Sequence, residues 1–367
     1  MGGPVTVRPL RTAVVGAGAV SEQYVATLAG RPQVRFVAVV DRRADRAAAL
    51  ADRLPGARVA TLSAVLAAAD VDLLLNLTVP SEHAAITRAG LRAGRHVFSE
   101  KPLGISAADA VDLPALAGPG HRLACAPDTV LGTGLQTARA AVADGLIGTP
   151  VSAHAVMVTP GHERWHHHPE FFYRAGGGPL LDMGPYYLTA LVHLLGPVAT
   201  VNGIGTRPRP VRRIGRGPRA GDEFGVEVDT HETALLRHAG GAVSTVTISF
   251  DGVGTLAPPI EIHGTRGSIA VPDPNHFAGT VRLRRLGERQ WTDLPDRAGA
   301  VDAARGSGVL DLADAIATGR PAQADPGIAA HVLETVLAVR RSARRDGTAI
   351  AVRSRPTVPP RVPLTAC

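Results

Sequence analysis

The sequence predicts an α/β chain: an N-terminal doubly wound parallel sheet of Rossmann type, then an α+β domain with an open, mostly antiparallel sheet. Three observations predict it. From Arg11 to about Cys125, short apolar runs alternate with helical patterns, an order that implies a parallel sheet covered on both faces. A Gly-x-Gly turn stands between the first run and the first helix. Beyond it the apolar period falls to two, with hairpin-like turns such as His238-Ala239-Gly240-Gly241 between the runs.

In chain order, Thr12–Val15 reads as a strand, Ser21–Ala29 as a helix, Val34–Val40 as a strand and the alanine-rich Ala44–Arg53 as a helix. Val71–Leu77 is a buried strand, Glu82–Ala93 a helix and His96–Phe98 a strand. In the second part Ala138–Asp144 and Tyr187–Leu195 are helical, among strands at Val151–Thr159, Glu232–Arg237, Ala242–Phe250, Pro259–His263, Ser268–Val271 and Val281–Arg285. Ala329–Ala343 is a closing helix whose arginine-rich end suits the helix dipole. The 367 residues therefore divide into a dinucleotide-type domain over 1–125, a substrate and oligomerisation domain over 126–350, and a Pro-rich tail over 351–367, expected to be loosely ordered.

Composition narrows the function. No apolar run reaches the roughly 18 residues of a membrane span, and no secretory leader opens the chain. Cys125 and Cys367 show neither disulfide nor metal spacing, so a reducing cytoplasm is expected. The net charge of +7 includes a run of arginines at 207, 209, 212, 213, 216 and 219. No aromatic residues interleave it for base stacking, so it reads as a solvated loop and not a nucleic-acid surface.

Gly16-Ala17-Gly18-Ala19-Val20-Ser21 lies between the first strand and first helix. Gly16 and Gly18 allow a tight turn close to a pyrophosphate, and the helix opening at Ala19 and Val20 offers free N–H groups. Asp41 ends the second strand, where an acid accepts hydrogen bonds from an adenosine ribose and disfavours a 2′-phosphate. NAD is therefore favoured over NADP, with Arg42 and Arg43 the opposing signal.

Of 39 basic residues besides histidine, Lys101 is the only lysine. An ammonium can change its pKa, whereas a guanidinium stays charged. Glu100-Lys101-Pro102 follows a strand at the carboxyl edge of the parallel sheet, where ligands of doubly wound folds bind. Glu100 is placed to orient the ammonium. A second group, Gly176-Gly177-Gly178-Pro179-Leu180-Leu181-Asp182-Met183-Gly184-Pro185-Tyr186, puts Asp182 and Tyr186 four apart, on one face if helical, though Gly184 and Pro185 mark a helix entry.

His162-Glu163-Arg164-Trp165-His166 matches a zinc-protease pattern, which requires a helix. Pro160-Gly161 before it and Pro169 after it argue against one, and no metal is expected. The better reading is a substrate-covering loop, with Trp165 offering a stacking face and His166, His167 or Glu170 hydrogen-bond partners; for each of them singly a solvated position is the alternative.

These residues together resemble the glucose–fructose oxidoreductase and inositol dehydrogenase family, Gfo/Idh/MocA. The resemblance runs from the glycine loop to the last helix. The family's Glu-Lys-Pro is Glu100-Lys101-Pro102, and its Asp-x-Gly-x-His becomes Asp182-Met183-Gly184-Pro185-Tyr186, with tyrosine in the histidine place. Thr78-Val79-Pro80-Ser81-Glu82-His83 is similar to its loop over the nicotinamide side. The resemblance implies an NAD-dependent oxidoreductase of a pyranose, cyclitol or glycoside hydroxyl, in the tyrosine-containing branch. It implies Tyr186 as acid–base group, Asp182 and Lys101 beside it, Thr78, Val79, Pro80, His83, Glu100 and Lys101 near the cofactor, and Asp128 near the substrate, with Arg305 a weaker candidate.

An unperturbed tyrosine, with a pKa near 10, is a poor base, and a neighbouring Lys101 ammonium is expected to lower it. The family includes tailoring enzymes of natural-product sugars, aminoglycosides among them; Asp128, Glu163, Glu170 and Asp182 are the acids available to a polycation. A homodimer or homotetramer is expected, since open sheets often bury their outer face on a partner. The competing readings are a glycosidase using bound NAD and a non-catalytic NAD-binding sensor.

Overall fold

The computed structural model describes residues 8–118 and 120–365, so Cys367 lies outside the described residues. In the first half, β1 (Leu10–Val15), α1 (Ala19–Leu28), β2 (Val34–Val40), α2 (Ala44–Ala51), β3 (Arg58–Val59), α3 (Leu62–Ala67), β4 (Leu73–Asn76), α4 (Pro80–Arg92), β5 (His96–Ser99), α5 (Ala107–Leu116) and β6 (Leu123–Cys125) follow one another. Their strands make one six-stranded sheet in the order β3-β2-β1-β4-β5-β6, all pairs parallel. Every residue of β4 is buried, as a strand covered on both faces requires, and each fully buried leucine contributes about 1.5–3 kcal/mol. The order reverses direction at β1 and β4, so the carboxyl ends of these two strands border the ligand crevice.

The second half begins with α6 (Thr133–Ala143) and β7 (Pro150–Val158), and reaches α7 (Pro179–Asp182) and α8 (Gly184–Leu195) after a long loop. Next come β8 (Val198–Thr206), a small hairpin of β9 (Val211–Arg213) and β10 (Glu223–Gly225), β11 (His231–His238) and β12 (Val243–Ser249). The strands β13 (Ile260–Gly264), β14 (Gly267–Val271), β15 (Val281–Arg285) and β16 (Thr292–Leu294) precede α9 (Ser307–Thr318), α10 (Pro326–Ala343) and β17 (Ile350–Ala351). Nine of these strands form an open sheet, β16-β15-β14-β13-β7-β12-β11-β8-β17. It is antiparallel except where β7 lies parallel to β12. Inward residues alternate along its strands, as in β11, where Glu232, Ala234, Leu236 and His238 are buried.

Two helices tie the halves together. Leu310, Leu312 and Ala315 of α9 complete the core of the parallel sheet, although the helix follows the second sheet in sequence. The helix α10 packs against α5 on one side and β8 on the other. No helix among the described residues is long and apolar enough to cross a membrane.

Two expectations are corrected here. The Pro-rich tail is not loose: Arg139 donates to the Pro359 carbonyl at 2.7 Å, the Val362 N–H donates to Gln136 at 3.1 Å, and Thr365 bridges Ala300. Pro359 supplies its carbonyl to a buried guanidinium of the core. The arginine run is not a wholly solvated loop either. Arg212 lies on β9 with its side chain 1% exposed, bonded to Glu163 at 2.8 Å and Asp251 at 2.6 Å. Arg219 holds Glu170 at 2.6 Å. A buried guanidinium survives only with such acids around it.

Candidate active site

The site grows from three breaks in regular structure. The first is the turn after β1. Gly16 has φ +101°, and a Cβ there would stand 2.7 Å from the Leu77 carbonyl oxygen, so only glycine fits. Gly18 is the N-cap of α1 and brings no side chain to cap it, which leaves the first-turn N–H groups of Ala19 and Val20 facing outward. A Cβ on Gly18 would meet only open space. Free donors, a dipole end and room for a ligand fit a dinucleotide pyrophosphate. Asp41 accepts from the backbone N–H groups of Ala17 and Arg43, both at 2.8 Å, so it is fastened to the same turn, with Arg42 exposed beside it.

The second break follows β4 and β5, where the chain leaves the carboxyl edge of the sheet. Thr78 donates its hydroxyl to Asn76 at 2.7 Å, Val79 is exposed and Pro80 opens α4. His83 is 1% exposed and spends both ring nitrogens on carbonyls, Pro102 at 2.7 Å and Thr78 at 2.9 Å. It therefore ties the Thr78 loop to the Lys101 turn, and the expectation that it meets a cofactor directly is corrected. Burial pushes its pKa down, against these two carbonyls. Glu100 is also redirected. Its carboxylate accepts from the Tyr24 hydroxyl at 2.7 Å and from the Lys101 backbone N–H at 2.9 Å, so it shapes the turn and does not grip the ammonium.

The third break is at Met183, which ends α7 and caps α8. Asp182 and Tyr186 thus do not share one helix face, as the spacing suggests; the kink aims both at Lys101. The Lys101 Nζ donates to Asp182 Oδ1 and to the Asp182 main-chain carbonyl, each at 2.7 Å, and lies 5.1 Å from the centre of the Tyr186 ring. His162 Nε2 donates to the other Asp182 oxygen at 2.8 Å.

Charge follows from this packing. Burial opposes the Asp182 carboxylate, but Lys101 and then His162 outweigh it and hold it well below the usual range. Burial opposes the Lys101 ammonium, but Asp182, Tyr186 and Glu100 outweigh it and raise its pKa. At neutral pH Lys101 is therefore a fixed cation. For Tyr186 the balance reverses. Burial raises its pKa, Lys101 and Arg305 lower it, and the net value stays above 10. The expected lowering by Lys101 is present but smaller than the cost of desolvating a phenolate.

The remaining expected residues separate. Asp128 is fully buried, accepts from Gly306 at 2.8 Å and Gly308 at 3.2 Å, and faces Arg305 at 3.5 Å, so it cannot touch a substrate. Trp165 is 52% exposed and lies against His162, with ring centres 5.0 Å apart. His166 is half-buried, and its ring meets Trp165, Phe171 and Phe172. Among the described residues no three His, Cys, Asp or Glu side chains gather as a metal site, and Glu163 of the zinc-like pattern is bound to Arg212.

Sequence reasoning missed His162 as a member of the acid–base cluster. Gly161 places it: φ is +108°, and a Cβ there would collide with Glu163 and Arg212. The Pro160-Gly161 pair was the available signal for a turn, but nothing local shows that the turn ends at Asp182. Arg305, the weaker candidate, joins the cluster, with its guanidinium carbon 5.1 Å from the centre of the Tyr186 ring.

Comparison with known proteins identifies the family and the fold. Residues 10–124 match the model of the oxidoreductase family with NAD-binding Rossmann fold, and residues 135–270 match the GFO/IDH/MocA C-terminal domain. The chain is similar to dTDP-3,4-didehydro-2,6-dideoxy-alpha-D-glucose 3-reductases from two Streptomyces species. That of Streptomyces violaceoruber is 33% identical over 59% of this chain and 63% of the relative, so the match spans under two thirds of that protein's length. That of Streptomyces antibioticus is 30% identical over 74% of this chain and 87% of the relative. Among solved structures, levoglucosan dehydrogenase in complex with NADH and levoglucosan superposes with a TM-score of 0.77, at 19% identity, over 94% of this chain and 99% of that one. The last likeness concerns the fold alone.

Proposed function

The chain belongs to the GFO/IDH/MocA family of oxidoreductases, with an NAD-binding Rossmann domain, and from that premise we propose that it moves a hydride between NAD and a secondary hydroxyl carbon of a pyranose, cyclitol or glycoside. The observation that carries the reading is the convergence of Lys101, Asp182 and Tyr186 at the carboxyl edge of the parallel sheet. Gly16, Gly18, Ala19 and Val20 would hold the pyrophosphate, and Asp41, beside Arg42, the adenosine ribose. Thr78, Val79, Pro80 and Lys101 would border the nicotinamide side. When bound, NAD supplies or accepts the hydride; the protein positions the reactants and handles the proton.

In the oxidative direction the Tyr186 oxygen takes the hydroxyl proton as the carbonyl forms. The Lys101 ammonium stabilises negative charge on that oxygen and on the substrate oxygen. Asp182 fixes the ammonium, and His162 fixes Asp182. Trp165 and His166 offer a ring face and a polar edge to the substrate.

The acids available to a polycation are already engaged. Asp128 faces Arg305, Glu163 holds Arg212, Glu170 holds Arg219 and Asp182 holds Lys101. This pairing favours a neutral, hydroxyl-rich substrate over an aminoglycoside, including in any natural-product setting.

The test is NADH absorbance with a panel of neutral sugars, cyclitols and glycosides, run on the wild type and on Tyr186→Phe. Turnover by the first, reduced about 10²–10⁴-fold in the second, is expected. Tight NAD binding with no NADH change on any polyol, in either direction, would overturn the reading.

A further inference from the structure

The chain has four tyrosines. Three of them give their hydroxyl proton to a carboxylate: Tyr24 to Glu100 at 2.7 Å, Tyr173 to Glu163, and Tyr187 to Asp273 at 3.2 Å. Burial disfavours the phenolate at all three, and the acid adds to it. Tyr186 differs. Its hydroxyl bonds no carboxylate among the described residues, and two cations stand at its ring, Lys101 Nζ and the Arg305 guanidinium carbon, each 5.1 Å from the centre.

Arg305 is built into this place. Its Nη2 donates to the Asn275 side-chain oxygen at 2.7 Å and to the Asn275 carbonyl at 3.2 Å, its Nη1 faces Asp128 at 3.5 Å, and its plane lies near Phe277. Asp128 also clamps the two N–H groups that follow, on Gly306 and Gly308, so the backbone leaving Arg305 is fixed at the start of α9. The side chain is 14% exposed. A surface arginine would be screened by water; one held in this way delivers its field to the nearest polarisable group.

We infer that Arg305 is a positioning residue, a second cation that acts through Tyr186 and shares with Lys101 the work of making its phenolate attainable. The charged groups that face Tyr186 are Lys101 and Arg305, which favour the phenolate, and Glu100 and Asp182, which oppose it. Lys101 is largely committed to Asp182, at 2.7 Å, so its field on the ring is partly cancelled. The Arg305 partner Asp128 is more distant, at 3.5 Å. Arg305 therefore adds a second cationic field at the ring, next after that of Lys101. The role rests on the proposed acid–base function of Tyr186 only in its consequence for turnover; the electrostatic coupling itself can be read without substrate or NAD.

The experiment is an alkaline titration of tyrosinate absorbance in the near ultraviolet on the free enzyme. The first tyrosine to ionise in the wild type is expected to be Tyr186, identified by its loss in Tyr186→Phe. In Arg305→Gln this step moves to higher pH by one unit or more, a tenfold fall in ionisation constant, and Arg305→Lys restores most of it. An unchanged step in Arg305→Gln overturns the inference. Should that variant fail to fold, Asn275→Ala, which removes one anchor of the guanidinium, replaces it; a smaller alkaline shift supports the role and no shift overturns it. Turnover that survives in Tyr186→Phe would defeat the proposed function and leave the titration result standing. A lost turnover with an unshifted titration would defeat Arg305 alone.

Discussion

Asp182 holds the Lys101 ammonium twice, through its carboxylate and through its own main-chain carbonyl, with both distances 2.7 Å. The second contact needs Asp182 to end α7, since a carbonyl inside a longer helix would be spent on the helix. The kink at Met183 is thus what makes the pair possible. The two residues are 81 apart in sequence and join the two sheets at the site.

The pair has a stability signature. Asp182 has a folded pKa below its ordinary 3.8, so it contributes stability above that value and loses it as pH falls through the folded pKa. Lys101 has a folded pKa above its ordinary 10.5, so its contribution is full below that value and is lost as pH rises through the folded pKa. Between about pH 5 and pH 10 the pair's contribution is constant. Asp182→Asn strands a buried cation and is expected to cost about 3–5 kcal/mol by urea unfolding at pH 7. A loss below 1 kcal/mol would show that solvent reaches the ammonium.

Lys101→Arg tests the shape of the cation. A guanidinium keeps the charge but cannot place one compact donor on both Asp182 oxygens and stay beside Tyr186. NAD affinity should remain within a few-fold of wild type by fluorescence titration, while kcat falls at least a hundredfold. Wild-type kcat would remove the positioned ammonium from the mechanism.

Because burial leaves Tyr186 above its ordinary pKa, oxidation and reduction should diverge with pH. Oxidation uses the phenolate, which grows about tenfold per pH unit below the pKa, whereas reduction uses the phenol, which is already fully present there. The kcat/KM for oxidation should therefore still be climbing at pH 9. A plateau below pH 8 would assign the proton to another group.

His162 acts at one remove. It donates to Asp182 at 2.8 Å, and its Nδ1 is buried with no partner among the described residues. A hydrogen bond to a charged group contributes about 1.5–3 kcal/mol, so His162→Phe should lower kcat about ten- to a hundredfold. His162→Gln, which keeps an N–H donor, should recover part of that loss. Equal activity in both variants would leave the imidazole as packing against Trp165, Phe172 and Phe250.

Much of this was legible where chemistry is local. The strand Val34–Val40 has the bounds its apolar run predicts, and the Gly16–Gly18 turn stands where a strand meets a helix. Lys101 was visible by its rarity. What was not legible depends on contacts between distant segments. Asp128 resembles a substrate ligand until Gly306 and Gly308, nearly 180 residues on, bury it. Arg212 resembles its solvated neighbours until Glu163 and Asp251 enclose it. The sign of the Tyr186 shift is set by burial against two cations, a balance that no spacing reveals.

Arg212 gives the last prediction, because the loop carrying His162 depends on it. Its Nη1 binds Glu163 at 2.8 Å and its Nη2 binds Asp251 at 2.6 Å and the Phe250 carbonyl at 3.1 Å. Glu163 also receives the Tyr173 hydroxyl, which in turn accepts the His162 backbone N–H at 3.0 Å. One fork therefore links β9, the end of β12 and the turn before His162. Arg212→Met leaves two buried acids facing each other and should cost about 3–5 kcal/mol in unfolding free energy, with the loss shrinking at low pH as one acid takes a proton. Arg212→Lys should recover little, since a single ammonium cannot reproduce the planar fork across Glu163 and Asp251. A pH-independent loss of under 1 kcal/mol would mean that the acids are solvated and that the His162 loop is held by its aromatic contacts.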